Sequence, residues 1–231
     1  MKTNVIIVTI LMSFVCVSES VAEGKSVADR LEQYGVSSRA RLAPYFDKAG
    51  VRYPPLSLVF VGLKEEKLLQ VYAQSGTNDV RFIREYPILA ASGVAGPKLR
   101  EGDKQVPEGI YAIEWLNPNS SYHLSMRIGY PNAFDREQAA REQRTKLGGD
   151  IMIHGKAKSV GCLAMGDEAA EELFVLAADV KIENITVVIA PVDFRSGRPL
   201  PADAKLPAWT ETLYPQIKRR LAGLPSPEKN R

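Results

Sequence analysis

Apolar and polar positions along the chain fall into two regimes. Over residues 26–48, SVADRLEQYGVSSRARLAPYFDK, apolar residues recur at helical spacing with a break near Gly35, which predicts two short helices. From Leu56 the period shortens to β-rich runs at residues 56–63, 67–74, 80–92, 109–117, 122–130, 150–155 and 185–191. Turn-rich pieces such as GVAGPKLREGDKQVPEG separate several of them. Two helices interrupt the strands. One is polar, over residues 133–146; the other, DEAAEELFVLAAD at residues 167–179, has an acidic first turn that suits a helix N-terminus. After Pro191 the chain is proline-rich, and residues 208–224 predict a docking helix with Trp209 and Tyr214 as packing anchors. Many strands and few helices predict a mainly β domain, a sandwich or barrel-like sheet with packed helices and short helical extensions at both ends.

The first residues add a compartment. Lys2 precedes the apolar run VIIVTILMSFVCV, and small residues at Ser20 and Ala22 follow, the pattern of a cleavable secretory signal over residues 1–22. The run is shorter than the roughly 20 apolar residues a bilayer span needs, and no later stretch qualifies, so the mature chain is expected to have no transmembrane segment. The expected division is a signal at 1–22, a helical segment at 23–54, the main domain at 55–193 and a proline-rich extension with its docking helix at 194–231. Cleavage removes Cys16 and leaves Cys162, so no internal disulfide is possible. A leftover thiol in an exported protein is a reactive group, an intermolecular partner or a small buried hydrophobe. The formal charge of +3, with no basic run interleaved with aromatics, is too small a bias to argue for nucleic acid, and no nucleic-acid partner is expected.

The stretch IHGKAKSVGCLAMGD, residues 153–167, brings chemistry. In a strand ending at His154, Ile151 and Ile153 face one way while Met152 and His154 face the other. Gly155 ends the strand, and the loop KAKSVG delivers Cys162 ahead of the helix that starts near Asp167. A thiolate nucleophile needs a neighbouring base to generate it, and Gly161 permits close backbone approach by which amides near Cys162 stabilise an oxyanion. Spacing alone leaves a structural histidine equally open. A second pattern alternates His123, Ser125 and Arg127 with Leu124, Met126 and Ile128, as either a solvated face or a groove wall. Tyr130 and Pro131 shape the groove's end or form a plain turn; Asp150 orders the start of the strand. Lys156 and Lys158 flank the loop, positioned for substrate carboxylates or for nothing specific. With His123 and His154 the two histidines of the chain, no histidine-rich metal site is expected.

HGKAKSVGCLAM resembles the signature of L,D-transpeptidases with the YkuD-type catalytic domain, in which a His-Gly pair precedes Ser-x-Gly-Cys. VPEGIYAI at residues 106–113 is similar to that domain's Thr-Pro-x-Gly-x-Tyr turn and strand. SMRIGYPN at 125–132, with the Ala-Met after the cysteine, resembles the YafK-like, murein-acting branch. The resemblance spans residues 55–193 and implies a β-rich sandwich, Cys162 as nucleophile, His154 as base, and the amides of Gly161 and Cys162 as oxyanion donors. It further implies substrate contacts at His123, Ser125, Arg127, Tyr130, Gly155 and Ser159, with no cofactor and no metal. The implied setting is the periplasm, the substrates peptidoglycan stem peptides, and a further partner a murein-linked lipoprotein. A thioester on Cys162 is resolved by an amine in transpeptidation, or by water in an endopeptidase or amidase. The non-enzyme alternative is a wall-binding module with an incidental thiol. Many members carry histidine where Val160 stands and arginine where Ala164 stands, so His123 is expected beside the thiol in place of the missing histidine. A catalytic Cys162 of low pKa is expected to react with iodoacetamide well below the pH that an ordinary cysteine requires.

Overall fold

Leu58 and Phe60 of SLVFVGL face one hydrophobic cluster, while Val59, Val61 and Leu63 face another. A strand buried on both faces reads as a continuous apolar run instead of an alternation. This strand, β1 (Ser57–Leu63), sits inside the sheet of a computed structural model that describes residues 24–76, 79–202, 204 and 206–227. The expected signal, with Cys16, lies outside the described residues.

Along the chain come α1 (Val27–Ala49), β1, β2 (Leu68–Gly76), β3 (Asp79–Pro87), β4 (Gly109–Asn117), β5 (Ser125–Ile128) and α2 (Ala133–Arg141). Then follow β6 (Met152–His154), β7 (Leu163–Ala164), α3 (Asp167–Val180), β8 (Ile185–Ala190) and α4 (Thr210–Ala222). The strands form one eight-stranded sheet in the order β3-β2-β1-β8-β4-β5-β6-β7. The pairs β1–β8 and β6–β7 are parallel and the rest antiparallel. Beyond β3 the chain reaches the far edge: Leu89 N–H donates to Ala164 O at 2.8 Å, and Ala164 N–H donates to Ala90 O at 2.9 Å. The sheet therefore curls until its two ends meet. The mainly β, barrel-like architecture is as expected, built from a single sheet and not from two.

Inside the curl, α3 contributes Leu173, Phe174, Leu176 and Ala177 to the main core, and α1 packs behind it. On the opposite face, α4 lays Leu213, Tyr214, Ile217 and Leu221 over β1, β2 and β8. The Tyr214 hydroxyl donates to Glu108 Oε2 at 2.8 Å, and the buried Lys64 ammonium pairs with Glu108 Oε1 at 2.9 Å. The Tyr214 hydroxyl thus ties α4 to a buried ion pair, either charge of which would cost several kcal/mol if left uncompensated.

Several elements differ from expectation; the run at 80–92, for one, ends as β3 at Pro87. The N-terminal helix is continuous through Gly35, because Gly35, Ser38, Leu42 and Phe46 form one buried stripe and the tertiary contact outweighs the low helix propensity of one glycine. The run at 122–130 shortens to β5, since His123 takes a φ of +72° and leaves extended geometry. The helix at 133–146 stops at Arg141, with Gln143 at a φ of +55°. The two-residue β7 was not anticipated.

Candidate active site

Cross-strand register builds the site. Ser125 pairs with His154 and Arg127 with Met152 between β5 and β6; Ile153 pairs with Leu163 and His154 with Ala164 between β6 and β7. Ile153 and Leu163 enter the core, so Met152, His154 and Cys162 take the other face. There they line a groove of about 250 Å³ together with Ser125, Tyr122 and Asp150. It lies on the sheet face that α4 covers elsewhere. Lys158 and the 70% exposed Val160 stand along it.

The buried His154 ring places Nδ1 2.6 Å from the Gly155 carbonyl. A carbonyl can only accept, so Nδ1 carries the hydrogen and Nε2 keeps its lone pair, the tautomer a general base needs. Tyr122 packs against the ring with centroids 4.7 Å apart. Burial lowers the His154 pKa, and the Gly155 carbonyl opposes that shift.

The Cys162 Sγ accepts the Met152 N–H at 3.4 Å and lies 3.7 Å from the Asp150 carbonyl. Burial pushes the thiol pKa up; the Met152 amide pulls it down, Asp150 adds to the rise, and Lys98 opposes it. Both shifts run toward the uncharged forms of the two groups, which share the groove. For the thiol, that direction is opposite to the low pKa expected of a catalytic cysteine. Desolvation is the largest influence on this thiol.

The loop before the cysteine is held by hydroxyls. Ser159 Oγ accepts the Cys162 N–H at 3.0 Å and donates to the Cys162 carbonyl at 2.5 Å. The Gly161 N–H donates to Ser92 Oγ at 2.6 Å, and Gly161 has a φ of +97° that glycine adopts without strain. The two amides expected to serve an oxyanion are thus bonded to serines in this resting arrangement.

The expected substrate contacts separate. Ser125 lines the groove, and Arg127 lies one register step further along the same face. Ser159 braces the loop. Gly155 is a close-packing position: a Cβ there would sit 2.6 Å from Asp167 Oδ1 and 2.8 Å from the Tyr122 carbonyl. Tyr130 is buried, with its hydroxyl donating to the Lys98 carbonyl at 3.2 Å, and does not line the groove. Nor does His123. Its Nε2 lies 3.0 Å from Glu171 Oε1 and its ring meets Tyr34 edge-on, so its expected place as a substitute for the histidine absent at 160 is not where the fold puts it. The positive φ turns its side chain toward α1 and α3. Tyr122 and Ser92 were missed: an aromatic beside a histidine was a visible signal for the first, whereas Ser92 acts from 69 residues away.

Among relatives, YafK of Escherichia coli K12, itself assigned to the L,D-transpeptidases only provisionally, is 38% identical over 113 residues, which are 48% of this chain. The match spans 43% of that protein's length. Among solved structures, the helical cell shape determining protein Pgp2 of Campylobacter jejuni aligns at a TM-score of 0.47 with 24% identity, over 70% of this chain and 57% of its own. L,D-transpeptidase 1 of Mycobacterium tuberculosis aligns at 0.34 with 15% identity, over 58% of this chain and 62% of its own. Both are partial likenesses of shape. The sequence profile of YkuD, the L,D-transpeptidase catalytic domain, matches residues 57–189, more than half of the chain, and this protein belongs to that family.

Proposed function

We propose that this chain is exported to the periplasm and there transfers acyl groups of peptidoglycan stem peptides through a thioester on Cys162. One observation carries the reading: a thiol and an imidazole of base-competent tautomer share one groove on adjacent strands. Cys162 Sγ attacks the carbonyl of an L-centred amide, at the diamino residue preceding a D-residue, while His154 Nε2 takes the thiol proton. The C–N bond then breaks as His154 returns that proton to the departing amine. An incoming amine, deprotonated by His154, attacks the thioester, and the sulfur leaves and regains its proton. The amides of Gly161 and Cys162 serve the oxyanion after the hydroxyls of Ser92 and Ser159 release them. Ser125 and Arg127 guide the stem.

Hydrolysis is the second reading, with water in place of the amine; a murein-linked lipoprotein is then a candidate to be released. It draws on Val160, 70% exposed beside the groove, which offers an acceptor amine no polar grip. Tetrapeptide muropeptides incubated with excess D-amino acid and followed by mass spectrometry separate the two. Exchange of the terminal residue supports transfer, and tripeptide alone supports hydrolysis. If neither product forms, both fail. The mass of the mature protein checks cleavage after residue 22.

A further inference from the structure

Two cross-strand rows run side by side over the open face of β4 to β7. The first holds Asn117, Ser125 and His154, each directly opposite the next. The second holds Trp115, Arg127 and Met152 and ends at Cys162, bonded to Met152's amide. The first row and the Met152–Cys162 end of the second line the catalytic groove. The Trp115 end prolongs it.

Trp115 is 48% exposed there, at a register shift between Ile113 and Trp115 that leaves both Glu114 and Trp115 facing outward. An indole on an open sheet face, beside a groove, is an apolar plate without a partner. Its surroundings are charged. Arg127 stands directly opposite Trp115, 3.4 Å from Glu114 Oε2 and 3.4 Å from Asp150 Oδ1, longer than the charge-assisted bonds of about 2.7–2.9 Å. Its Nε is buried, and no acceptor meets it in bonding geometry. An apolar plate next to incompletely used donors and acceptors matches a pyranose, whose C–H face stacks while its hydroxyls and amides reach outward.

We infer that Trp115 binds the saccharide end of the donor strand, and that Arg127 binds the free carboxylate of the acidic residue between sugar and reacting carbonyl. The inference rests on the peptidoglycan reading above and deepens it. Spacing supports it: strands lie about 4.8 Å apart, so three steps from β7 to β4 put Trp115 about 14 Å from Cys162. Three stem residues at about 3.3–3.6 Å each, with the link to the sugar, cover a similar length. From the thiol outward, the row then reads reacting carbonyl, diamino residue over Met152, acidic residue at Arg127, the third stem residue with its link, and sugar on Trp115. The enzyme consequently selects stems still attached to glycan.

Calorimetric titration of the Cys162→Ala protein, which binds without turnover, tests this with a disaccharide-tetrapeptide and the same tetrapeptide lacking sugar. The sugar-bearing ligand is expected to bind about tenfold tighter, and adding Trp115→Ala to bring the two Kd values within about twofold. Trp115→Tyr, which keeps an aromatic plate, should retain most of the difference. Equal affinities, or a ratio that survives Trp115→Ala, overturn the inference alone. Absence of binding by either ligand overturns it together with the peptidoglycan reading.

Discussion

The two halves of the curled sheet are built by different means. Strands β1, β2, β3 and β8 run for six to nine residues, pair continuously apart from irregularities between β2 and β3, and join two hydrophobic clusters. Strands β5, β6 and β7 have four, three and two residues and keep one face free for the groove. Burial stabilises the first half. Local polar locks shape the second: positive φ at His123, Asp150, Lys156 and Gly161, Ser159 against Cys162, Ser92 against Gly161, and Asp167 accepting the Lys156 amide at 2.7 Å. Groove side chains borne on short elements gain precision from a rigid neighbour without being packed out of reach of a ligand.

Substitutions on the two sides should therefore separate activity from stability. Cys162→Ala and His154→Ala are each expected to lower turnover by several orders of magnitude in muropeptide assays. Cys162→Ala should leave Tm within about 2 °C, because the hydrogen bonds of its thiol to Met152 and Asp150 are long and the side chain it loses is small. Wild-type product formation by Cys162→Ala would remove the thioester mechanism.

The covered half should behave in the opposite way. Ile217 is wholly buried where α4 meets the sheet, and Ile217→Ala should destabilise by about 2–4 kcal/mol in urea unfolding. Its kcat/KM, measured well below Tm, should stay within about twofold of wild type. A large loss of activity in the folded variant would show that the halves are not independent.

Gly155→Ala probes their junction. The new Cβ would meet Asp167 Oδ1 at 2.6 Å, the Tyr122 carbonyl at 2.8 Å and His123 Cβ at 2.9 Å, too close on three sides at once. The same residue's carbonyl holds the His154 tautomer. Both readouts should fall together, by about 1–3 kcal/mol in stability and tenfold or more in kcat. Loss of stability alone would mean that the imidazole keeps its partner when the backbone shifts.

Legibility follows the same division. β1 was readable to within one residue, β4 over 109–117 in full and α3 to one residue, because burial on one or both faces writes itself into the apolar pattern. That His154 and Cys162 line one groove was legible too, since a short loop after β6 must return close to it. What escaped depends on contacts remote in sequence or on single dihedral angles. The alternation through His123, Ser125 and Arg127 looked uniform, yet a positive φ at its first member sent His123 to Glu171. Helix α1 passes Gly35 because α3 lies against it. The occupied amides of Gly161 and Cys162 required knowing where two serine hydroxyls come to rest.

The smallest expected effect concerns ionisation, where even the open half shows the influence of burial. Desolvation lowers His154 and raises Cys162. A base must be unprotonated to accept the thiol's proton, so a depressed His154 stays competent further into acid than an ordinary histidine. The acid limb of kcat/KM should accordingly lie below the pH at which a free imidazole titrates. The thiol moves the other way: iodoacetamide labelling of the folded protein should rise at a higher pH than labelling of the same cysteine in the urea-unfolded chain. Two-point labelling rates at neutral and mildly alkaline pH suffice, with an expected slowing of several-fold in the folded state. Faster labelling of the folded protein at neutral pH would mean a preformed thiolate–imidazolium pair. The groove would then belong with sites activated by charge and not by desolvation, and attack would need no proton transfer at its start.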